Sequence, residues 1–193
     1  MISNIYKLIP IAIVLCFTYS CSQTYTPKPR GYFRIDFPEK NYVAFKDHLP
    51  YSFEYPLYGI IKPDTDKNAE PYWINIEFPR FNGKIHISYK RVNHNLAGFI
   101  EDTRKLAYRH TVKADAINEI IIKNDQHNVY GIIYDITGNA ASSMQFFATD
   151  SSKNFIRGAL YFTVQPNKDS LAPAIEFFSK DVEHFIQTLR WKK

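Results

Sequence analysis

Two cysteines, Cys16 and Cys21, stand five residues apart in "CFTYSCSQTYTPKPRG" and are the only thiols in this 193-residue chain. Such a pair admits a redox couple, half of a metal site, or something else. The six histidines, His48, His86, His94, His110, His127 and His184, never stand at i,i+3 or i,i+4, so no helix offers two of them to a metal. His86 alternates with Ile85 and Ile87 and faces away from the apolar side of its strand. Asp64 and Asp66 share a turn-rich loop with Lys62 and Lys67, without the spacing of a calcium loop. Ser142 and Ser143 are the candidate nucleophiles, but G-x-S-x-G, the P-loop, G-x-G-x-x-G and H-E-x-x-H are all missing from the sequence. The residues thus favour a protein with no catalytic group, no cofactor and no metal. A hydrolase using either serine with a nearby histidine is the least supported reading.

The cysteines are separated by the start of the chain. Lys7 precedes ten apolar residues, Leu8 to Phe17. A membrane span needs about 20, whereas the core of a secretory signal takes about 7–15. Ser20 then precedes Cys21. This resembles a bacterial lipobox, with Thr18 in the place an aliphatic residue usually fills. Cys16 follows Leu15, where a small residue is wanted. An uncleaved anchor and an ordinary cleaved signal are the alternatives. The lipobox reading makes residues 1–20 a signal peptide, lipid-modifies Cys21 and discards Cys16. No free thiol or disulfide then remains. Several acyl chains on Cys21 anchor stably where one does not. Residues 21–30, polar with two prolines, form a short tether.

Composition narrows the rest. Hydrophobic residues make up 45% and charged residues 22%, a globular balance. Aromatics reach 16%, with 14 Tyr and 15 Phe, which favours pleated sheet. The net charge of +5 comes from basic residues interspersed with acids, so a nucleic-acid partner is not expected.

Residues 31–193 read as a single domain. "YFRIDF" alternates, with Phe33, Ile35 and Phe37 on one face and Tyr32, Arg34 and Asp36 on the other, predicting a half-buried strand closed by Pro38. "YSFEYPLYGII" predicts a strand interrupted at Pro56. "YWINIEF" and "GKIHISYK" predict a hairpin through Asn82-Gly83. The period then becomes helical: Leu96, Phe99, Ile100, Thr103, Leu106, Ala107 and His110 make one stripe, with Asn93 or Asn95 as N-cap. Four strands follow, "INEIIIK", "NVYGIIYDITG", "SSMQFFATD" and "NFIRGALYFTV". A last helix carries Ile175, Phe178, Val182, Phe185 and Leu189, with Asp169 or Ser170 as cap and Pro173 in its first turn. Short links between strands imply antiparallel pairing. The fold class is α+β: an antiparallel sheet with two main helices, one on each face as an α/β/α three-layer sandwich, or both on one face. "FEYPLYGIIKP" and the long terminal helix resemble the PsbP-like sandwich in overall plan.

Two stretches are richer than a scaffold requires. Tyr32, Arg34 and Asp36 form an outward face. Asn139, Ser142 and Ser143, in "TGNAASS", make either a contact surface or an ordinary hairpin turn. The lipobox-like start, "RGYFRIDFPEKNY" and "YDITGNAASSMQFFATDSSKNFIRGALYF" followed by "PNKDS" together resemble the gliding motility lipoprotein GldD family over nearly the whole mature chain. That resemblance implies a cell-envelope lipoprotein of Bacteroidetes-type bacteria, required for gliding and associated with type IX secretion machinery. It carries over no site residue except the lipidated Cys21. Membrane lipid and other machinery proteins are the partners it implies. "SQTYT" has no acidic run behind the cysteine, and in these bacteria such a run resembles a surface-display signal, so the domain is expected to face the periplasm. A ligand- or glycan-binding module, stacking sugars on Trp73 or Trp191, is the rival function.

Overall fold

The computed structural model describes residues 34–164 and 168–192. β1 (Tyr42–Phe45) and β2 (Tyr51–Pro56) form an antiparallel pair. After the turn that follows Pro56, β3 (Ile60–Pro63), β4 (Ile74–Phe78) and β5 (Gly83–Arg91) open a second sheet. The Asn82-Gly83 signal is met by a 3₁₀ turn over Pro79–Phe81, which ends with Asn82 in the left-handed region at φ 48°. α1 (Leu96–Tyr108) carries the chain to the far side of the sheet. From there β6 (Ala114–Asn124), β7 (Val129–Gly138), β8 (Ser142–Thr149) and β9 (Asn154–Phe162) run back until β9 pairs with β5. The resulting antiparallel sheet has the strand order β3-β4-β5-β9-β8-β7-β6. α2 (Lys168–Thr188) follows, and β10 (Arg190–Trp191) ends the chain by pairing with β2.

Successive side chains of a strand point to opposite faces, and here both faces are covered. Ile133, Phe146 and Ile156 join Phe178, Val182 and Phe185 of α2, and Leu189 just after it, in the larger core, to which β2 adds Tyr51 and Phe53. Their sequence neighbours Tyr134, Phe147 and Phe155 meet Ala107 and the stripe of α1 in a smaller core. One helix therefore lies on each face, and the fold is an α+β sandwich of three layers. β8 is buried along its whole length for this reason, and its apolar residues run together instead of alternating with polar ones. The "DSSKN" turn between β8 and β9 is organised by Asp150, whose Oδ1 accepts from the backbone N–H groups of Ser152, Lys153 and Asn154 at 2.7–2.9 Å. Burial alone would raise the Asp150 pKa, but these donors outweigh it and hold the carboxyl below its ordinary value.

Two expectations need correction. Residues 34–41 form no strand. Ile35 is exposed, while Phe37 stacks on Phe177 of α2 at 4.3 Å and on Phe81 at 5.6 Å. The alternation marks a segment laid across side chains of α2, with Pro38 unable to donate to a ladder. In α2 the helix starts earlier than the cap residues suggested, so Pro173 is its sixth residue and falls in the second turn.

Candidate interaction surface

A sheet has two edges, and this one treats them differently. β3 is four residues long and ends on Pro63, with Lys62 paired to Glu77 at 2.6 Å. Shortness, charge and proline are ordinary means of blunting an edge. β6 is 11 residues long and, among the described residues, pairs only with β7. Its centre is the apolar triplet Ile120, Ile121 and Ile122. Ile121 is 79% exposed and Ile120 48%, and Val112 in the turn before the strand is 89% exposed.

Each face of this edge borders an apolar groove. On the α2 side, Ile120, Ile122, Ile133 and Ile186 line a groove of about 330 Å³. On the α1 side, Leu96, Ile100, Ile121, Tyr130 and Phe147 line one of about 310 Å³. A long apolar edge with unpaired backbone groups is what strand addition by another chain requires. The sequence identifies "INEIIIK" as a strand, and its triplet places isoleucines on both faces. That it is outermost depends on the crossover through α1.

The segment entering the domain is held by a buried ionic cluster on α2. Asp181 is 1% exposed. Its Oδ1 accepts from Lys40 Nζ at 2.7 Å and from the Tyr42 hydroxyl at 2.8 Å, and its Oδ2 accepts from the Tyr58 hydroxyl at 2.6 Å. Lys40 Nζ also donates to the Phe177 carbonyl at 2.8 Å and lies 3.4 Å from the centre of the Phe177 ring. Tyr42 stacks on His184 at 3.6 Å, and His184 Nε2 meets Glu54 Oε2 at 2.7 Å.

Burial, reinforced by the bonds to Asp181, pushes the phenols of Tyr42 and Tyr58 far above their ordinary range, and burial does the same to Tyr51. Lys40 is lowered, because its desolvation outweighs the attraction of Asp181. The linkage signs oppose each other. A raised phenol keeps its proton in the native state while the unfolded chain loses it near pH 10, so that stability is complete below about pH 10 and falls above it. The lowered Lys40 loses its proton first in the native state, so its contribution rises with pH up to about 10.4. Three tyrosines against one lysine leave a net loss. Urea unfolding from about pH 8 to about pH 11 should show a midpoint falling above about pH 10, less steeply in Tyr42→Phe and Tyr58→Phe. A midpoint that holds or rises there would overturn this assignment.

The residues singled out from sequence do not form one surface. Cys21 and Tyr32 lie outside the described residues. Arg34 and Asp36 are exposed and pair with each other at 2.9 Å, beside a groove shared with Arg80, Asn82 and Ser170. Asn139 is exposed in the β7–β8 turn, its N–H donating to the Lys113 carbonyl at 3.0 Å. Ser142 and Ser143 are not surface residues: they are 0% and 8% exposed, inside β8. Ser142 Oγ sits 2.9 Å from the Leu160 carbonyl and 3.1 Å from that of Met144. Ser143 occupies an irregularity in the β8–β9 pairing, where Ser142 opposes Tyr161 and Met144 opposes Leu160, and its buried hydroxyl has no hydrogen-bond partner among the described residues. The interior position of β8, between β9 and β7 and covered on both faces, puts them there. Among the described residues neither serine hydroxyl bonds a histidine. Trp73 and Trp191 are half-buried against the larger core, with indole N–H groups donating to the Tyr89 and Asn128 carbonyls at 2.9 Å.

Among solved structures, the solution structure of cyanobacterial PsbP (CyanoP) from Synechocystis sp. PCC 6803 is similar at 12% identity and a TM-score of 0.47, over 80% of this chain and 94% of that one. No curated protein matches the chain significantly. The family described as "Gliding motility lipoprotein GldD" matches residues 22–191. The match spans nearly the whole chain and begins beside Cys21, and the chain belongs to the gliding motility lipoprotein GldD family.

Proposed function

We propose that this lipoprotein is a non-catalytic component of the cell envelope that works by protein–protein contact. Residues 1–20 are removed, acylated Cys21 holds the protein on a membrane face, and the domain stands in the periplasm. It acts among proteins of the gliding and type IX secretion machinery, and the β6 edge is the contact surface on which that action depends. The exposed Ile120–Ile121 edge between two apolar grooves carries this reading. It is further supported by Ser142, whose hydroxyl is committed to the sheet backbone. Among the described residues no helix is long and apolar enough to cross a membrane. The glycan-binding alternative draws no support from Trp73 and Trp191, since both rings are already packed.

Two alleles at the native locus test the proposal. Cys21→Ala should shift the protein from the membrane fraction to the soluble one. Ile121→Lys alters an exposed side chain, so abundance and membrane fractionation should stay normal while colony spreading and secretion are lost. Normal spreading with Ile121→Lys would refute the contact edge. A Cys21→Ala protein still wholly with membranes would refute the anchor. Spreading lost with secretion intact would confine the role to motility.

A further inference from the structure

We propose that the β6 edge pairs with the β6 edge of a second copy of this chain, antiparallel and centred on Ile121, so that the two seven-stranded sheets become continuous. The proposal rests on the reading of β6 as a contact edge and names its occupant.

The side chains of β6 sort by parity. Glu119 accepts from the Tyr108 hydroxyl of α1 at 3.0 Å, and Ile117 packs against the smaller core with Ala107 of α1, so odd positions face α1. Ile122 belongs to the core beneath α2, and Ile120 lines the groove beside Ile186, so even positions face α2. Antiparallel pairing of two identical strands about a two-fold axis normal to the sheet sets residues of equal parity opposite each other. Each possible register is therefore named by its central residue.

Centred on Ile121, Glu119 stands opposite Lys123 of the second copy and Lys123 opposite its Glu119. Ile121 meets Ile121, Ile120 meets Ile122, and Asn118 meets Asn124. Every apolar residue of the triplet finds an apolar one, and Glu119 and Lys123 find their opposites, the pairing that stabilises cross-strand neighbours; the one mismatch, Ile117 opposite Asp125, falls just past the end of the strand. Neighbouring registers fail. Centred on Ile120, Lys123 faces Ile117 and Glu119 faces Ile121. Centred on Ile122, Glu119 faces Asp125 and Lys123 faces Ile121. Centred on Glu119, that carboxylate faces its own copy. The charges are free to engage: Tyr108 occupies one oxygen of Glu119, and Lys123 is 69% exposed and, among the described residues, meets only Asp125, equally exposed, at 3.6 Å. In the favoured register the second copy's isoleucines also extend over the grooves on both faces.

Cysteine crosslinking of the full-length protein in isolated membranes, with a short bismaleimide, tests the register. Ile121→Cys should give a covalent dimer. Glu119→Cys and Lys123→Cys should crosslink when co-expressed and not singly, because equivalent residues four positions apart are separated by about 13 Å along the strand. Glu119→Lys should reduce the Ile121→Cys dimer several-fold, and the exchange Glu119→Lys with Lys123→Glu should restore it. No dimer with Ile121→Cys overturns the pairing, as does a dimer indifferent to the charge exchange. A photo-crosslinking residue at position 121 separates the two readings. If it captures a different envelope protein, or residues 22–33 of its own chain, self-pairing falls. The first of these captures leaves the contact edge standing. If it captures nothing and Ile121→Lys spreads normally, both fall.

Discussion

Replacing Asp181 with Ala is expected to lower the free energy of unfolding by roughly 3 kcal/mol, measured by urea denaturation near neutral pH. The carboxylate receives Lys40, Tyr42 and Tyr58 within 2.6–2.8 Å and is itself shut off from water. Its removal leaves an ammonium in a site built for a pair, and removing one partner of a buried pair costs about 3–5 kcal/mol. The lower figure applies because the Lys40 side chain keeps 25% of its exposure and can recruit water. Removing the lysine charge as well should recover part of the loss, since Lys40→Met with Asp181→Ala no longer strands a cation over the Phe177 ring. A double variant as unstable as Asp181→Ala, or a single variant as stable as the wild type, would show that the cluster does not hold residues 34–42 to α2.

Gly131→Ala should be comparably damaging, at about 3 kcal/mol, for a steric reason. A Cβ at Gly131 would stand 1.9 Å from the Phe147 carbonyl oxygen and 3.1 Å from the Ala148 Cα. Those are backbone atoms of the neighbouring strand, so no rotamer change relieves the clash, and β7 must draw away from β8. The two outer strands, β7 and β6, carry Val129, Ile133 and Ile122 of the larger core and would lose their seat together. Gly98→Ala is the matched control. A Cβ there meets nothing within 4 Å, and the position is inside α1, so alanine should stabilise by about 0.5–1 kcal/mol. Equal unfolding midpoints for the two variants would refute both assignments.

Much of the fold was legible because its signals are local. Ile85, Ile87 and Tyr89 alternate, and all three are buried in the larger core. The α1 stripe appears as the inward face of that helix, with Thr103 and Ala107 at its centre. The stretch "YFRIDF" shows the limit of alternation: it displays a pleated face but cannot guarantee a partner strand, and the aromatic surface of α2 claims Phe37 instead. Ser142 and Ser143 look like turn residues beside Gly138 and Asn139, yet β8 begins at Ser142 and both are interior. Asp181 is the least legible residue. On a helix surface a carboxylate reads as solvated, and the partners that make it interior lie 123–141 residues away in the chain.

By itself the sequence determined the two helices, the order of the strands from β4 to β9, and, through a family likeness running from residue 22 to 191, the lipoprotein character of the protein. Periodicity and turn chemistry are short-range properties, so one sequence suffices to expose them. Only the tertiary structure decided that α1 and α2 take opposite faces, that β6 rather than β7 is outermost, and that Lys40 meets Asp181. Those outcomes follow from which distant segments exclude water together, and no residue carries that information in its near neighbours.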